Sequence, residues 1–175
     1  MESLSPWQDA TGARVVYAIR PTSLGWALVA ASQAGICAIE LRETSQAAEQ
    51  SLPGRFPGAV QVTDDPAWLQ EVIAFLEAPA RSLDLPLDMQ GTAFQRRVWL
   101  ALREIPPGKT ATYTEIAAQI GAPKAVRAVA RGCASNRIAV AIPCHRVIRS
   151  DGGLGGYRWG LSVKRALLDR EKSQK

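Results

Sequence analysis

Thr114 to Val147 reads TEIAAQIGAPKAVRAVARGCASNRIAVAIPCHRV, and the fold of the second half of the chain turns on this stretch. Thr114 to Ile120 is a short helical segment, Gly121-Ala122-Pro123 makes a turn, and Lys124 to Ser135 is a second helix. Two short helices joined by a Gly-containing turn form the helix-turn-helix pattern. The second helix interleaves Ala125, Ala128, Ala130, Gly132 and Ala134 with Arg127 and Arg131. Such a composition suits either a buried Ala-rich core helix or one laid closely against a phosphate backbone. Lys124, Arg127, Arg131 and Arg137, on it or beside it, favour the second.

Past this helix the apolar run Ala139-Val140-Ala141-Ile142 leads into Pro143-Cys144-His145-Arg146-Val147. The only histidine of the chain stands next to a cysteine, after a proline that restricts the backbone. A cysteine near a cation or an accepting imidazole loses its proton more readily, and the thiolate is the nucleophile. Neighbours in an extended segment point to opposite faces, so a water is expected to bridge Cys144 and His145. Cys37 and Cys133 have no such neighbour and read as small buried hydrophobes.

Beyond the cysteine, Asp151-Gly152-Gly153-Leu154-Gly155-Gly156-Tyr157-Arg158-Trp159 is a glycine-rich loop closing on aromatic and cationic residues. It fits neither dinucleotide nor Walker spacing. A flexible wall over an aromatic-lined pocket suits a flat ligand such as a nucleobase. The last helix, Ser162 to Glu171, ends on a carboxylate. Glu171 either orients His145 or is an exposed helix-end residue, and spacing alone favours exposure.

Working further out, charge divides the chain. Residues 1–90 carry five Lys/Arg against eleven Asp/Glu, and residues 91–175 carry sixteen against five, so a net −6 faces a net +11. The basic half is a candidate surface for nucleic acid. With 47% hydrophobic and 21% charged residues among 175, the chain can bury a core and is not a disordered tail. No apolar run is long enough to span a membrane, nothing near Met1 resembles a signal peptide, and the three cysteines form neither a disulfide framework nor a metal-ligand spacing. A cytoplasmic protein without cofactor or metal is expected.

The first half predicts a small antiparallel meander within Arg14–Leu41: Val15–Ile19, Trp26–Val29 and Ile36–Ile39, with turns at Pro21-Thr22-Ser23 and Gln33-Ala34-Gly35. Glu43 to Ser51 reads as helix and Leu52 to Val62 as loop. A second helix fits Pro66 to Glu77, with Asp65 as N-cap and Pro66 in the first turn. Leu83 to Met89 is an extended edge or linker, and the domain boundary falls near residue 90. Thr92 then caps a helix whose apolar face is Phe94, Val98, Trp99 and Leu102, ended by Ile105-Pro106-Pro107-Gly108.

The run Ile142-Pro143-Cys144-His145-Arg146-Val147 resembles the active-site signature of the O6-alkylguanine-DNA alkyltransferases. The likeness spans nearly the whole chain and is greatest to the C-terminal half of the bacterial adaptive-response regulators. Trp7–Thr11, Arg20–Gly25, Gln90–Gln95 and Lys124–Val129 are all similar and fall in the same order. The regulators' N-terminal half, with its cysteine metal site and activator function, has no counterpart in the chain.

This resemblance implies an α+β (α/β) protein. Residues 1–90 form a structural domain with a small ribonuclease H-like antiparallel sheet, and residues 91–175 form a helical DNA-binding and alkyl-acceptor domain. It implies irreversible transfer of the O6-alkyl group of a flipped-out guanine in double-stranded DNA to Cys144, once per molecule. His145 takes the thiol proton through a water, Glu171 holds the imidazole, and Asn136 orders the hinge. Arg127 enters the base stack from the minor groove, Tyr113 crowds the target phosphate and donates to the base, and Lys124, Ala128, Arg131 and Ser135 face the DNA. Val147 and Cys144 offer carbonyls to the base, while Tyr157, Arg158 and Trp159 complete its pocket. Ala139 with the bulky Arg158-Trp159 pair predicts that methyl is accepted well and benzyl poorly. A bacterial, nucleoid-acting monomer is expected.

Other readings account for less. A cysteine hydrolase using Cys144 and His145 needs no basic helix pair, a lesion sensor lacks the acceptor cysteine, and a plain helix-turn-helix regulator leaves the Pro-Cys-His-Arg run unexplained.

Overall fold

The computed structural model describes residues 15–173; the Trp7–Thr11 likeness and Arg14 lie outside the described residues. The chain divides into two compact units, residues 1–89 and 90–175.

In the first unit, strands β1 (Val15–Thr22), β2 (Gly25–Ser32) and β3 (Gly35–Arg42) form the antiparallel meander. Each strand runs further than the apolar pattern indicates, because the turns are tighter. Pro21 does not belong to a turn: it pairs with Trp26 inside the β1–β2 ladder, and only Ser23-Leu24 connect the strands. The Thr22 hydroxyl closes that turn, donating to the Gly25 carbonyl and accepting from Leu24 N–H. Gly35 stands at φ +141°, where an added Cβ would meet the Pro86 carbonyl oxygen at 2.2 Å. That closeness lets Leu83–Met89 lie along the edge of β3, with Ile36 N–H donating to Pro86 and Asp88 N–H donating to Ile36.

Helix α1 (Ser45–Gln50) starts from Thr44, whose hydroxyl accepts from Ala47 N–H. The expected loop Leu52–Val62 contains a strand missed in the sequence, β4 (Val60–Gln61), parallel to β1. Two residues are too few to show periodicity. Helix α2 spans Ala67–Glu77, and its cap differs from expectation: Pro66 holds the N-cap position without a side-chain bond. The Asp65 carboxylate is drawn away to Arg20, 2.9 Å from its Nε. Ile19, Leu28, Cys37, Ala38 and Leu52 form the core of this unit.

In the second unit, α3 (Ala93–Arg103) carries a full capping box, Thr92 with Gln95, and buries Val98, Trp99 and Leu102; Phe94 is only half-buried. Strand β5 (Ala111–Thr112) leads into α4 (Tyr113–Gln119), which repeats the device with Thr112 and Glu115. Helix α5 begins at Val126, two residues later than the sequence indicates, because Ala122 to Ala125 close a turn first. It ends at Ala134. β6 (Val147–Ile148) pairs in parallel with β5, and α6 (Leu161–Ser173) closes the unit.

Part of the small-residue pattern of α5 serves packing. Gly132 faces Val98 of α3, where an added Cβ would come within 3.3 Å, and the Gly132 carbonyl accepts from Trp99 Nε1 at 2.9 Å. Among the described residues no helix is long and apolar enough to cross a membrane.

Candidate active site

The segment before the cysteine is not a strand. Ile138 to Ile142 fold into a tight turn in which Ile142 N–H donates to Ile138 and Ala141 N–H to Ala139. Val140 sits at φ +68°, a left-handed conformation costly for a β-branched residue. Asn136 holds this turn from within. Its Oδ1 accepts from Ile138 N–H at 2.9 Å, and its Nδ2 donates to the Ile142 carbonyl at 2.8 Å and toward Cys144 Sγ at 3.3 Å.

Cys144, His145 and Arg146 form one turn of 3-10 helix rather than the extended segment expected. All three side chains are buried. His145 points at α6, where Glu171 is not an exposed helix end: it is 2% exposed, and its Oε1 lies 2.7 Å from His145 Nε2. Arg146 grips the same carboxylate, Nε to Oε2 at 3.0 Å and an Nη to Oε1 at 2.8 Å, and donates to the Ile105 carbonyl at 2.6 Å.

The charges follow from this geometry. Burial alone would raise the Glu171 carboxyl, but the hydrogen bonds from His145 and Arg146 and their charges more than reverse it, down to about 2. Glu171 is therefore an acceptor, and the ring proton of neutral His145 sits on Nε2. Burial, joined by the Arg146 and Lys164 charges, lowers the His145 pKa more than Glu171 restores it. His145 Nδ1, also buried, has no hydrogen-bond partner among the described residues and keeps its lone pair. The thiol overturns the expectation of easy ionisation. Burial pushes Cys144 up to about 11, with Asn136 and Lys164 pulling back. A neighbour in sequence does not reveal how deeply a site is buried.

Cys144 opens onto a cavity of about 200 Å³. Tyr113, Tyr157, Arg158 and Gly156 form its walls on one part, and α5 contributes Ala130, Cys133 and Ala134. Cys133 is buried as expected. Val147, Ala139 and Trp159, expected around the pocket, are buried but do not line it. Trp159 packs edge-on to Tyr157, ring centroids 5.3 Å apart, and the Val147 carbonyl accepts from Lys164 Nζ at 2.7 Å. Of the residues expected to face DNA, Lys124, Arg127 and Arg131 are exposed and Ala128 is half-buried. The Ser135 hydroxyl is engaged within the unit, donating to the Gly132 carbonyl and accepting from Gln95 Nε2.

Two buried cations received no role from the sequence, Arg146 and Lys164. A signal existed for the second. Lys164, Leu167, Leu168 and Glu171 share one face of α6 at i, i+3, i+4 and i+7, so both charges lie on its apolar stripe.

Comparison with known proteins agrees with this site. Residues 93–173 match the family described as 6-O-methylguanine DNA methyltransferase, DNA binding domain. The bifunctional transcriptional activator/DNA repair enzyme Ada of Escherichia coli is 51% identical over 160 residues, 90% of this chain but 45% of Ada, so the chain spans less than half of that relative. The methylated-DNA–protein-cysteine methyltransferase of Mycobacterium bovis is 48% identical over 122 residues, 70% of this chain and 68% of the relative. The crystal structure of Mycobacterium tuberculosis OGT in complex with DNA superposes with a TM-score of 0.77 at 36% identity, covering 91% of this chain and 94% of that one. A cysteine on a one-turn 3-10 helix, backed by a buried His–Glu pair and set beside a basic helix-turn-helix, thus occurs in a chain that belongs to the O6-methylguanine-DNA methyltransferase family.

Proposed function

We propose that this chain repairs DNA by direct reversal, moving the O6-methyl group of a guanine flipped out of the duplex onto Cys144. The Cys144 thiol gives its proton, through a water, to Nδ1 of His145. The sulfur then attacks the methyl carbon in line, an S–C bond forms, the C–O6 bond breaks, and the base leaves as guanine after gaining a proton, for which Tyr113 is the donor. The product is a thioether that cellular thiols do not reverse, so each molecule reacts once. The observation that carries this reading is the buried His145–Glu171 pair, 2.7 Å apart, behind the cysteine of an aromatic-walled cavity.

Asn136 is the positioning residue for the cysteine turn and Glu171 for the imidazole. Arg127 enters the base stack through the minor groove, and Lys124 and Arg131 meet phosphates. Flipping costs roughly a few kcal/mol, which these contacts offset. In this reading residues 90–175 carry both DNA binding and chemistry, residues 1–89 are structural, and the monomer works in a bacterial cytoplasm, at the nucleoid.

Intact-protein mass spectrometry after mixing with an oligonucleotide containing O6-methylguanine tests this, with Cys144→Ser alongside. One methyl gained by the wild type and none by the variant is expected. Tight lesion binding with no mass change would make the chain a sensor instead.

A further inference from the structure

Among the described residues, the largest fully buried side chain is a lysine. Lys164 is 0% exposed, in the first half of α6. Its Nζ donates to the carbonyls of Val147 at 2.7 Å, Leu154, and Gly156 at 3.2 Å. An ammonium has three protons to donate, so this set saturates it. All three acceptors belong to the segment that leaves the cysteine turn and forms the glycine-rich loop, and Gly156 itself lines the cavity.

A buried cation without a carboxylate is costly to keep, and carbonyl oxygens compensate it only in part. A neutral residue would fill the same space without that cost. The tip of the loop is closed by its own bonds, Arg149 N–H donating to Gly153, Gly152 N–H to Arg149 and Gly153 N–H to the Asp151 carboxylate. Lys164 holds the stretch beyond that tip, where Gly155 adopts positive φ and an added Cβ at Gly156 would meet nothing within 4 Å. The same positive charge acts on the sulfur side of the cavity, opposing the effect of burial on Cys144 and Cys133.

We propose that Lys164 is a positioning residue for alkyl transfer: it clamps the cavity wall at Leu154 and Gly156 to the cysteine turn at Val147, and it supplies a fixed positive charge that favours the Cys144 thiolate. Helix α6 then serves the reaction twice from one face. Glu171 sets the imidazole that takes the proton, and Lys164 sets the wall and the field in which the sulfur reacts. This inference rests on the transfer activity proposed above.

The test uses the full chain with Lys164→Met, Lys164→Gln and Lys164→Arg, each checked for folding by thermal unfolding. Methyl uptake from an O6-methylguanine oligonucleotide is timed against pH, and hydrogen exchange is followed at the amides of residues 147–156. Met and Gln should slow uptake by about tenfold or more, as loss of a fixed reacting geometry does. Both should shift the rate profile to higher pH, because the charge is gone, while Arg keeps the profile near that of wild type. Loop exchange should rise most in Met and less in Gln, which still donates. Folded Met or Gln variants with the wild-type profile and rate overturn the proposal. So does a wild type whose loop amides exchange as fast as an unanchored loop, a result that needs no variant to fold. Absence of methyl uptake by the wild type would instead overturn the transfer reading itself.

Discussion

The side-chain amide of Asn136 lies 3.3 Å from the sulfur of Cys144 while also donating to the Ile142 carbonyl, two residues before it. One buried group thus fixes both the turn and the nucleophile. Asn136→Ala leaves the Ile138 N–H without a partner and the Ile142 carbonyl with only the Cys144 N–H, a loss of about 2 kcal/mol in denaturant unfolding. Asn136→Asp keeps the shape but sets a carboxylate against the thiolate, and methyl uptake should slow by about tenfold or more. Wild-type kinetics in a folded Asp variant would remove Asn136 from the mechanism.

Glu171 makes stability depend on acid. Its carboxyl is held at about 2, below the ordinary 4.5, so its contribution is complete above 4.5 and disappears as pH falls through about 2. His145, with a pKa below its ordinary 6.5, acts in the same direction, since a buried neutral imidazole must charge on unfolding in acid. Glu171→Gln should flatten the stability curve between pH 4.5 and about 2. At neutral pH it should cost about 3 kcal/mol, because Arg146 is left buried without its counter-charge. Urea unfolding across that range decides the matter.

The thiol should be slow in the free protein. With Cys144 pushed up to about 11, labelling by iodoacetamide at neutral pH should be far slower than that of an ordinary cysteine and should climb through the alkaline range. In the proposed transfer, with His145 as base, methyl uptake should keep its rate until pH falls below 6.5, the ordinary histidine value. Rapid neutral labelling at this residue, located by peptide mapping, would contradict the buried geometry.

Arg127 and Gly132, both on α5, separate binding from folding. Arg127 is exposed, so Arg127→Ala should change stability by no more than about 0.5 kcal/mol. DNA affinity should drop by roughly tenfold and methyl uptake should slow with it. Gly132→Leu should do the opposite, destabilising the unit by about 2 kcal/mol or more where its side chain meets Val98. Thermal unfolding paired with a fluorescence binding titration distinguishes the two.

Local chemistry was readable where it obeys a short-range rule. The capping residue Thr92, the Gly-Ala-Pro turn between α4 and α5, and the apolar face of α3 all announce themselves within a few residues. The site itself is assembled over longer range. His145 and Glu171 are 26 positions apart, and only packing of α6 brings them together. The turn at Val140 was hidden because a valine with positive φ contradicts the local preference that sequence reading relies on. Asp65 looked like a helix cap until Arg20, 45 residues away, claimed its carboxylate. The Cys144 shift had the wrong sign because burial, the dominant cause, belongs to the folded structure and not to the neighbouring histidine.

If Cys144 accepts the methyl group as proposed, its burial bears on the lifetime of a molecule that reacts once. An exposed, ionised sulfur would be lost to whichever soluble electrophile or oxidant reached it first, and the protein would age simply by waiting. At 5% exposure, with its proton held, the sulfur is kept unreactive until a substrate fills the cavity and brings the methyl carbon to it. Slow chemistry in solution is then a form of storage, and the readiness of the protein depends on how seldom its nucleophile is seen.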